Sequence, residues 1–181
     1  MNRTVQLYAL IAGAALLVLP ASNLAATPQL DDAIAAQVQD HLDRGDQLAA
    51  EGHYGSARRE YRAVAELERA EGKLPATALR RIANSFYYQD RYQQAGKMLE
   101  NLAKEASTYG DLGVQVWATA DAAWVAWIAG DKIDMERRLE RLNRLMTSPY
   151  LPDDIRSEVT AKRLASAPPS GRKLAFLVND P

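Results

Sequence analysis

Apolar positions between residues 27 and 166 never settle into a sustained two-residue alternation, and alanine, leucine and arginine are abundant throughout. That pattern argues against a sheet and predicts an all-helical chain. Glycine, proline and acidic residues punctuate it at Gly52–Gly55, Gly72–Pro75, Gln89–Arg91, Tyr109–Gly113, Gly130–Asp131 and Ser148–Pro152. These breaks cut out seven segments of helix length, over 30–51, 54–71, 76–89, 92–108, 113–129, 132–147 and 152–166. Pro152 suits the first turn of the last helix, where its missing amide hydrogen costs nothing, and Asp153 and Asp154 complement the positive helix end.

The first segment differs from everything after it. A short basic start, Met1-Asn2-Arg3, is followed by an apolar run from Val5 to Leu19 that ends at Pro20 and Ser22. This is the layout of an export signal, with Ala25 or Ala26 as the expected cleavage point. The run is shorter than the roughly 20 residues of a membrane span, although an uncleaved signal serving as an anchor is the alternative. The expected organisation is a signal at 1–26, a helical domain at 27–166 and a tail at 167–181. The expected location is periplasmic or secreted. Pro168-Pro169 opens the tail, and a short apolar stretch from Lys173 to Val178 closes it.

Internal similarity sharpens the helical reading. Gly52-His53-Tyr54 aligns with Asp90-Arg91-Tyr92 and with Gly130-Asp131-Lys132, at separations of 38 and 40 residues. Around these anchors the first unit presents Gly45, Leu48, Gly52, Tyr54, Ala57 and Tyr61. The second presents Ala83, Phe86, Asp90, Tyr92, Ala95 and Leu99, and the third keeps Ala123, Gly130 and Leu139, with small Ala126 at the large position. On these residues the chain resembles the tetratricopeptide repeat family, although its periods exceed that family's usual 34 or so residues. The resemblance implies a right-handed α-solenoid of about three helical hairpins closed by a C-terminal capping helix. Small residues would let the helices of a unit touch, while Tyr61, Leu99 and Leu139 fill the gaps between units.

The same register carries a candidate binding face. Trp117, Trp124 and Trp127 fall within an arc of about 80° on one helix, with Ala118, Ala122, Ala126 and Ala129 on another side. The register turns the tryptophans toward the concave surface, where relatives bind peptides, and places Thr77, Arg80, Asn84, Tyr87 and Tyr88 on the equivalent surface of the preceding unit. The alternative is that these aromatics fill the space between units. One peptide-binding branch of the family clamps a carboxylate with a basic residue and asparagines. Arg80 and Asn84 match its first two positions, whereas Asp121 stands where an asparagine belongs and would repel a carboxylate. Asp121 beside tryptophans suits a cationic or sugar-like ligand instead.

Composition removes other classes. With 22 basic and 23 acidic residues, the net charge of −1 gives no bulk attraction to nucleic acid. Zero cysteines exclude disulfides, cysteine-ligated metals and thiol chemistry. The two histidines, His41 and His53, have no evident partners; His41 is expected on a helix surface and His53 in a turn. No phosphate loop, serine elbow, zinc-protease motif or calcium loop is present, so no catalytic residue, metal or cofactor is assigned. Asp131, Asp134 and Glu136 are expected to cap a helix start rather than hold a cation. Arg137, Arg138, Arg141 and Arg144 are expected on a solvated face, as are Arg156, Glu158, Lys162 and Arg163. Arg58, Arg59, Arg62, Glu66 and Arg69 mix signs along the second helix and call for no ligand. The resulting expectation is an exported, non-enzymatic scaffold binding a protein or peptide. The alternatives are a glycan-binding or glycan-processing protein that uses the tryptophan groove, and a structural subunit of a homo-oligomer.

Overall fold

A computed structural model describes the backbone of residues 27–165 and the side chains of residues 31–161. The expected signal, its cleavage point and the tail lie outside the described residues. Within them the chain is all-helical: α1 (Thr27–Ala50), α2 (Tyr54–Ala70), α3 (Ala76–Tyr87), α4 (Tyr92–Tyr109), α5 (Leu112–Ile128), α6 (Lys132–Met146) and α7 (Asp153–Ala165). No strand forms among the described residues, and none of their helices is long and apolar enough to cross a membrane.

The turns explain why the helices stop where they do. At the three aligned anchors the backbone enters the left-handed region, with φ of 80° at Gly52, 57° at Asp90 and 75° at Gly130. Each is followed by the same long backbone bond: the His53 amide donates to the Leu48 carbonyl (2.8 Å), Arg91 to Phe86 (3.0 Å) and Asp131 to Ala126 (3.0 Å). This closes off the last carbonyls of one helix while the next begins immediately. Glycine reaches that conformation without steric cost. Asp90 belongs to the small set of side chains that tolerate it.

Helix starts divide into two kinds. Asp111 and Asp131 accept the Val114 and Asp134 amides at 2.9 and 3.0 Å, capping α5 and α6. His53 and Arg91, at the starts of α2 and α4, make no side-chain cap bond. Pro152 lies just before α7 rather than in its first turn, and its carbonyl accepts the Arg156 amide at 3.0 Å.

Each helix from α1 to α6 packs mainly on its neighbours in sequence, and α7 returns to α5. Side chains also join alternate helices. Arg81 on α3 pairs with Asp46 on α1 at 3.0 Å, and the Arg80 guanidinium lies 3.8 Å over the Trp117 ring of α5. On the other layer, Arg69 of α2 grips Glu105 of α4 with two bonds of 2.6 and 2.8 Å, and Arg138 of α6 reaches Glu100 of α4 at 3.2 Å. Odd-numbered and even-numbered helices therefore form two layers.

Between the layers lie three apolar clusters. The first gathers Ala57, Tyr61, Val64, Ala65, Ala78, Leu79, Ile82, Leu102, Ala103 and Ala118; the second, Ala83, Ala95, Leu99, Ala122 and Val125. The third joins Val116, Leu142, Leu151 and Val159, with half-buried Leu139 against it. Full burial of Ile82, Leu99 and Leu102 contributes roughly 1.5–3 kcal/mol each. At Gly45 the Tyr61 ring lies directly against the α1 backbone, and an added Cβ would sit 2.4 Å from Tyr61 Cε1. The Tyr61 hydroxyl donates to Asp46 at 2.8 Å, and burial, then this bond, raises its pKa. Leu48 and Phe86 are half-buried against the first cluster, and Ala123 and Ala126 are buried.

Two arginines expected in solvent are not there. Arg138 is buried, with Nη1 donating to the Ala122 carbonyl at 2.6 Å and Nη2 pairing with Asp134 at 2.6 Å. Arg156 is half-buried and donates to the carbonyls of Met146, Ser148 and Leu151. It thereby satisfies carbonyls left open where α6 ends.

Candidate binding face

Helix α3 supplies the first half of the face. Its apolar side, Ala78, Leu79, Ile82 and Ala83, is buried, which turns Thr77, Arg80, Asn84 and Tyr87 to half-buried positions at the margin. Tyr88, just beyond the helix end, is 39% exposed. Helix α5 supplies the second half. It is apolar on nearly every side, and its small residues Ala118, Ala122, Ala123 and Ala126 are buried. Trp117 and Trp124 stay half-buried, and Trp127 is 38% exposed.

The structure joins these halves at two places. Arg80 stacks on Trp117, a contact that orients both side chains and keeps a guanidinium at an aromatic surface. One to two turns further along, Tyr87 and Trp124 pack against the same cluster of Ala83, Ala122 and Val125. Trp124 and Trp127 lie with ring centroids 5.3 Å apart. Tyr87 meets Tyr88 edge-on at 5.7 Å and Tyr92 at 5.5 Å, while Tyr88 stacks on Tyr54 at 6.2 Å. The result is an aromatic edge that continues past α3 onto the starts of α2 and α4. Tyr54 and Tyr92, expected only as packing residues, are part of it.

Hydroxyl chemistry along this edge is that of neutral donors. Burial raises the Tyr88 pKa, and the Tyr92 pKa is pushed up to about 12, chiefly because its hydroxyl donates to Asp90 at 2.6 Å. Both groups stay protonated at neutral pH; Asp90 takes the Tyr92 hydrogen, so the edge offers flat apolar rings with the Tyr88 hydroxyl as a neutral donor at the rim.

Asp121 does not belong to the exposed part of this surface. It is 2% exposed and faces the α5 interior side, so it cannot meet a cationic or sugar-like ligand at the surface as expected. The cause is its position between buried Ala118 and Ala122 on a helix packed from both layers.

Several polar groups that the sequence singles out have structural partners. His41 Nδ1 lies 2.7 Å from Glu60 and 3.2 Å from Arg44, tying α1 to α2 rather than standing on the surface alone. Glu60 is 19 residues away, so only the hairpin brings the two together. His53 is exposed, as expected of a turn residue. Asp131 caps α6, and Asp134 pairs with Arg137 and Arg138. Among the described residues no three His, Cys, Asp or Glu side chains gather in a way that could hold a metal ion. A cleft of about 190 Å³ between α4 and the α5–α6 turn is lined by Lys97, Arg137 and Arg138 on one side of the charge balance and Glu100, Asp131 and Asp134 on the other. No family model, curated protein or solved structure matches the chain.

Proposed function

We propose that this chain is a non-enzymatic protein-interaction scaffold of the cell envelope. In this reading it is a solenoid of three tetratricopeptide-like hairpins, α1–α2, α3–α4 and α5–α6, with α7 as the cap. A peptide or protein segment lies along the α3–α5 face. The repeat reading is supported by the three equivalent turns at Gly52, Asp90 and Gly130 and by the side-chain pairs that join alternate helices within each layer. The observation that carries the binding role is the face itself. Arg80 is held on Trp117, and the rings of Tyr88 and Trp127 remain more than a third exposed toward the two ends of one continuous run of aromatic side chains, whereas the other exposed large apolar groups among the described residues, Tyr109, Ile133 and Tyr150, lie outside it. Exposed aromatics beside an oriented arginine are the residue types that dominate binding energies at protein interfaces.

The test uses Tyr88→Ser/Trp127→Ser, which alters exposed rings and leaves the buried clusters untouched. Immobilised protein retains a defined protein species from an envelope extract, and the double variant, matched in helicity by circular dichroism, retains less than about a tenth of it. Identical eluates from the two proteins, or an eluate of wall glycan alone, would overturn the reading.

A further inference from the structure

The corner where α2 meets the α3–α4 turn holds an arginine that the fold buries without a counter-charge. Arg58 is only 8% exposed. Its Nη1 donates to the Ser85 hydroxyl at 3.1 Å, the Ser85 carbonyl at 3.4 Å and the Gln89 side-chain oxygen at 2.7 Å, all of them neutral. Its Nε and Nη2 meet no acceptor among the described residues, and that pair of donors is the edge that grips an oxyanion side-on.

The neighbours add positive charge. The guanidinium carbons of Arg58 and Arg91 both lie over the Phe86 ring, 4.3 and 4.9 Å from its centroid. Burial lowers the Arg58 pKa, and repulsion from Arg91 and then Arg62 lowers it further. Among the described residues no carboxylate forms an ion pair with Arg58, Arg62 or Arg91. Asp90, adjacent in sequence to Arg91, accepts the Tyr92 hydroxyl instead. Arg91 also stands at the start of α4, whose first turn has no capping side chain and no acidic residue. Its amides and dipole therefore add to the positive field. At Gly55 an added Cβ would come no closer than 3.9 Å to Arg58 Nη2, so the approach to that nitrogen is not crowded from α2.

A guanidinium out of water needs compensation. Arg58 and Arg91 on the same Phe86 ring, with Arg62 one helical turn along α2, suit a divalent anion better than a single carboxylate. We propose that Arg58, Arg62 and Arg91, with the start of α4, form a binding site for a phosphate group, as free phosphate or a phosphomonoester, on Arg58 Nε and Nη2. The site lies off the α3–α5 face and stands or falls independently of the scaffold reading.

The experiment titrates the full chain at low ionic strength with inorganic phosphate, glycerol phosphate and acetate. Arginine Nε–H resonances are followed by NMR and heats by calorimetry. Phosphate or glycerol phosphate should give saturable binding that shifts the Arg58 Nε–H signal, at least about tenfold tighter than acetate. Arg62→Gln/Arg91→Gln, both at exposed positions, should weaken it at least tenfold, and Arg141→Gln/Arg144→Gln on α6 should leave it unchanged. Tighter glycerol phosphate assigns the site to phosphomonoesters; tighter inorganic phosphate assigns it to the free ion. No saturable response, equal binding of acetate and phosphate, or unaltered binding by Arg62→Gln/Arg91→Gln would overturn the proposal.

Discussion

Arg58 on α2 and Arg138 on α6 are buried almost equally, at 8% and 7% exposure, yet the protein handles their charges in opposite ways. Arg138 is enclosed by Asp134, Glu100 and the Ala122 carbonyl. Even the backbone beneath it is cleared: a Cβ on Gly96 would sit 2.8 Å from its Nη1. Arg58 has a serine, a glutamine and two further arginines instead. The first arrangement is a charge-compensated internal tie between α4, α5 and α6, even though Arg138 Nε makes no hydrogen bond of its own. The second leaves a net positive charge facing the surface. Burial alone therefore does not reveal whether an arginine is structural; the charge of its surroundings does.

Breaking the two sites in parallel separates them most strongly. Arg138→Met leaves Asp134 and Glu100 without their cation and should cost about 2–3 kcal/mol, below the fully buried range because both carboxylates are partly exposed. Arg58→Met should cost less than half as much, since Ser85 keeps its bond to the Ile82 carbonyl. Urea unfolding followed by circular dichroism measures both, and equal losses would erase the distinction.

The glycines sharpen it. Gly96→Ala should lose about 1–2 kcal/mol, because the displaced guanidinium cannot yield without leaving its carboxylates, and this outweighs the helix-propensity gain. Gly55→Ala, whose Cβ would be 3.9 Å from Arg58 Nη2, should be neutral or slightly stabilising. Helix starts near the two arginines differ in the same way. Asp131→Ala removes a cap and should cost about 1 kcal/mol, whereas Arg91→Ala, which removes no cap bond, should change stability by less than half of that. Thermal unfolding of the four variants checks these orderings.

The smallest effect concerns a second underserved group on α2. Glu68 Oε2 is buried without a hydrogen bond, and burial raises its pKa above the ordinary 4.5. A raised carboxylate pKa means the folded state holds the proton more tightly. Its favourable contribution is present below the ordinary value and disappears as pH rises through the folded value. Glu68→Gln should therefore stabilise the protein by a few tenths of a kcal/mol at pH 7 and not at pH 4. Unfolding midpoints at the two pH values measure it, and a larger gain at pH 4 would contradict the sign.

Helix positions were legible because their ends are written locally. Gly52, Asp90, Gly130, Gly72 and Gly110 mark turns within one or two residues, and the segments that the sequence breaks delimit end within three residues of the observed helices. The tryptophan arc on α5 was legible for the same reason, since helical periodicity is enough to put Trp117, Trp124 and Trp127 on one side. What could not be read locally was depth. Arg58, Asp121 and Arg138 are ordinary polar residues in sequence, and each is buried by a helix that arrives from elsewhere in the chain. Arg58 finds Ser85 27 residues away, and Arg138 finds the Ala122 carbonyl 16 residues back. The link between His41 and Glu60 was hidden in the same way. Such partners emerge only once two layers are stacked.

The most direct test of the binding account is hydroxyl-radical footprinting of the protein alone and in an envelope extract. Four exposed rings report at once: Tyr88 and Trp127 on the α3–α5 face, and Tyr109 and Tyr150, exposed near the α6–α7 loop, as internal controls. The account predicts that labelling of Tyr88 and Trp127 falls in the extract while Tyr109 and Tyr150 keep theirs. Unchanged labelling of Tyr88 and Trp127, or protection confined to Tyr109 and Tyr150, would contradict it.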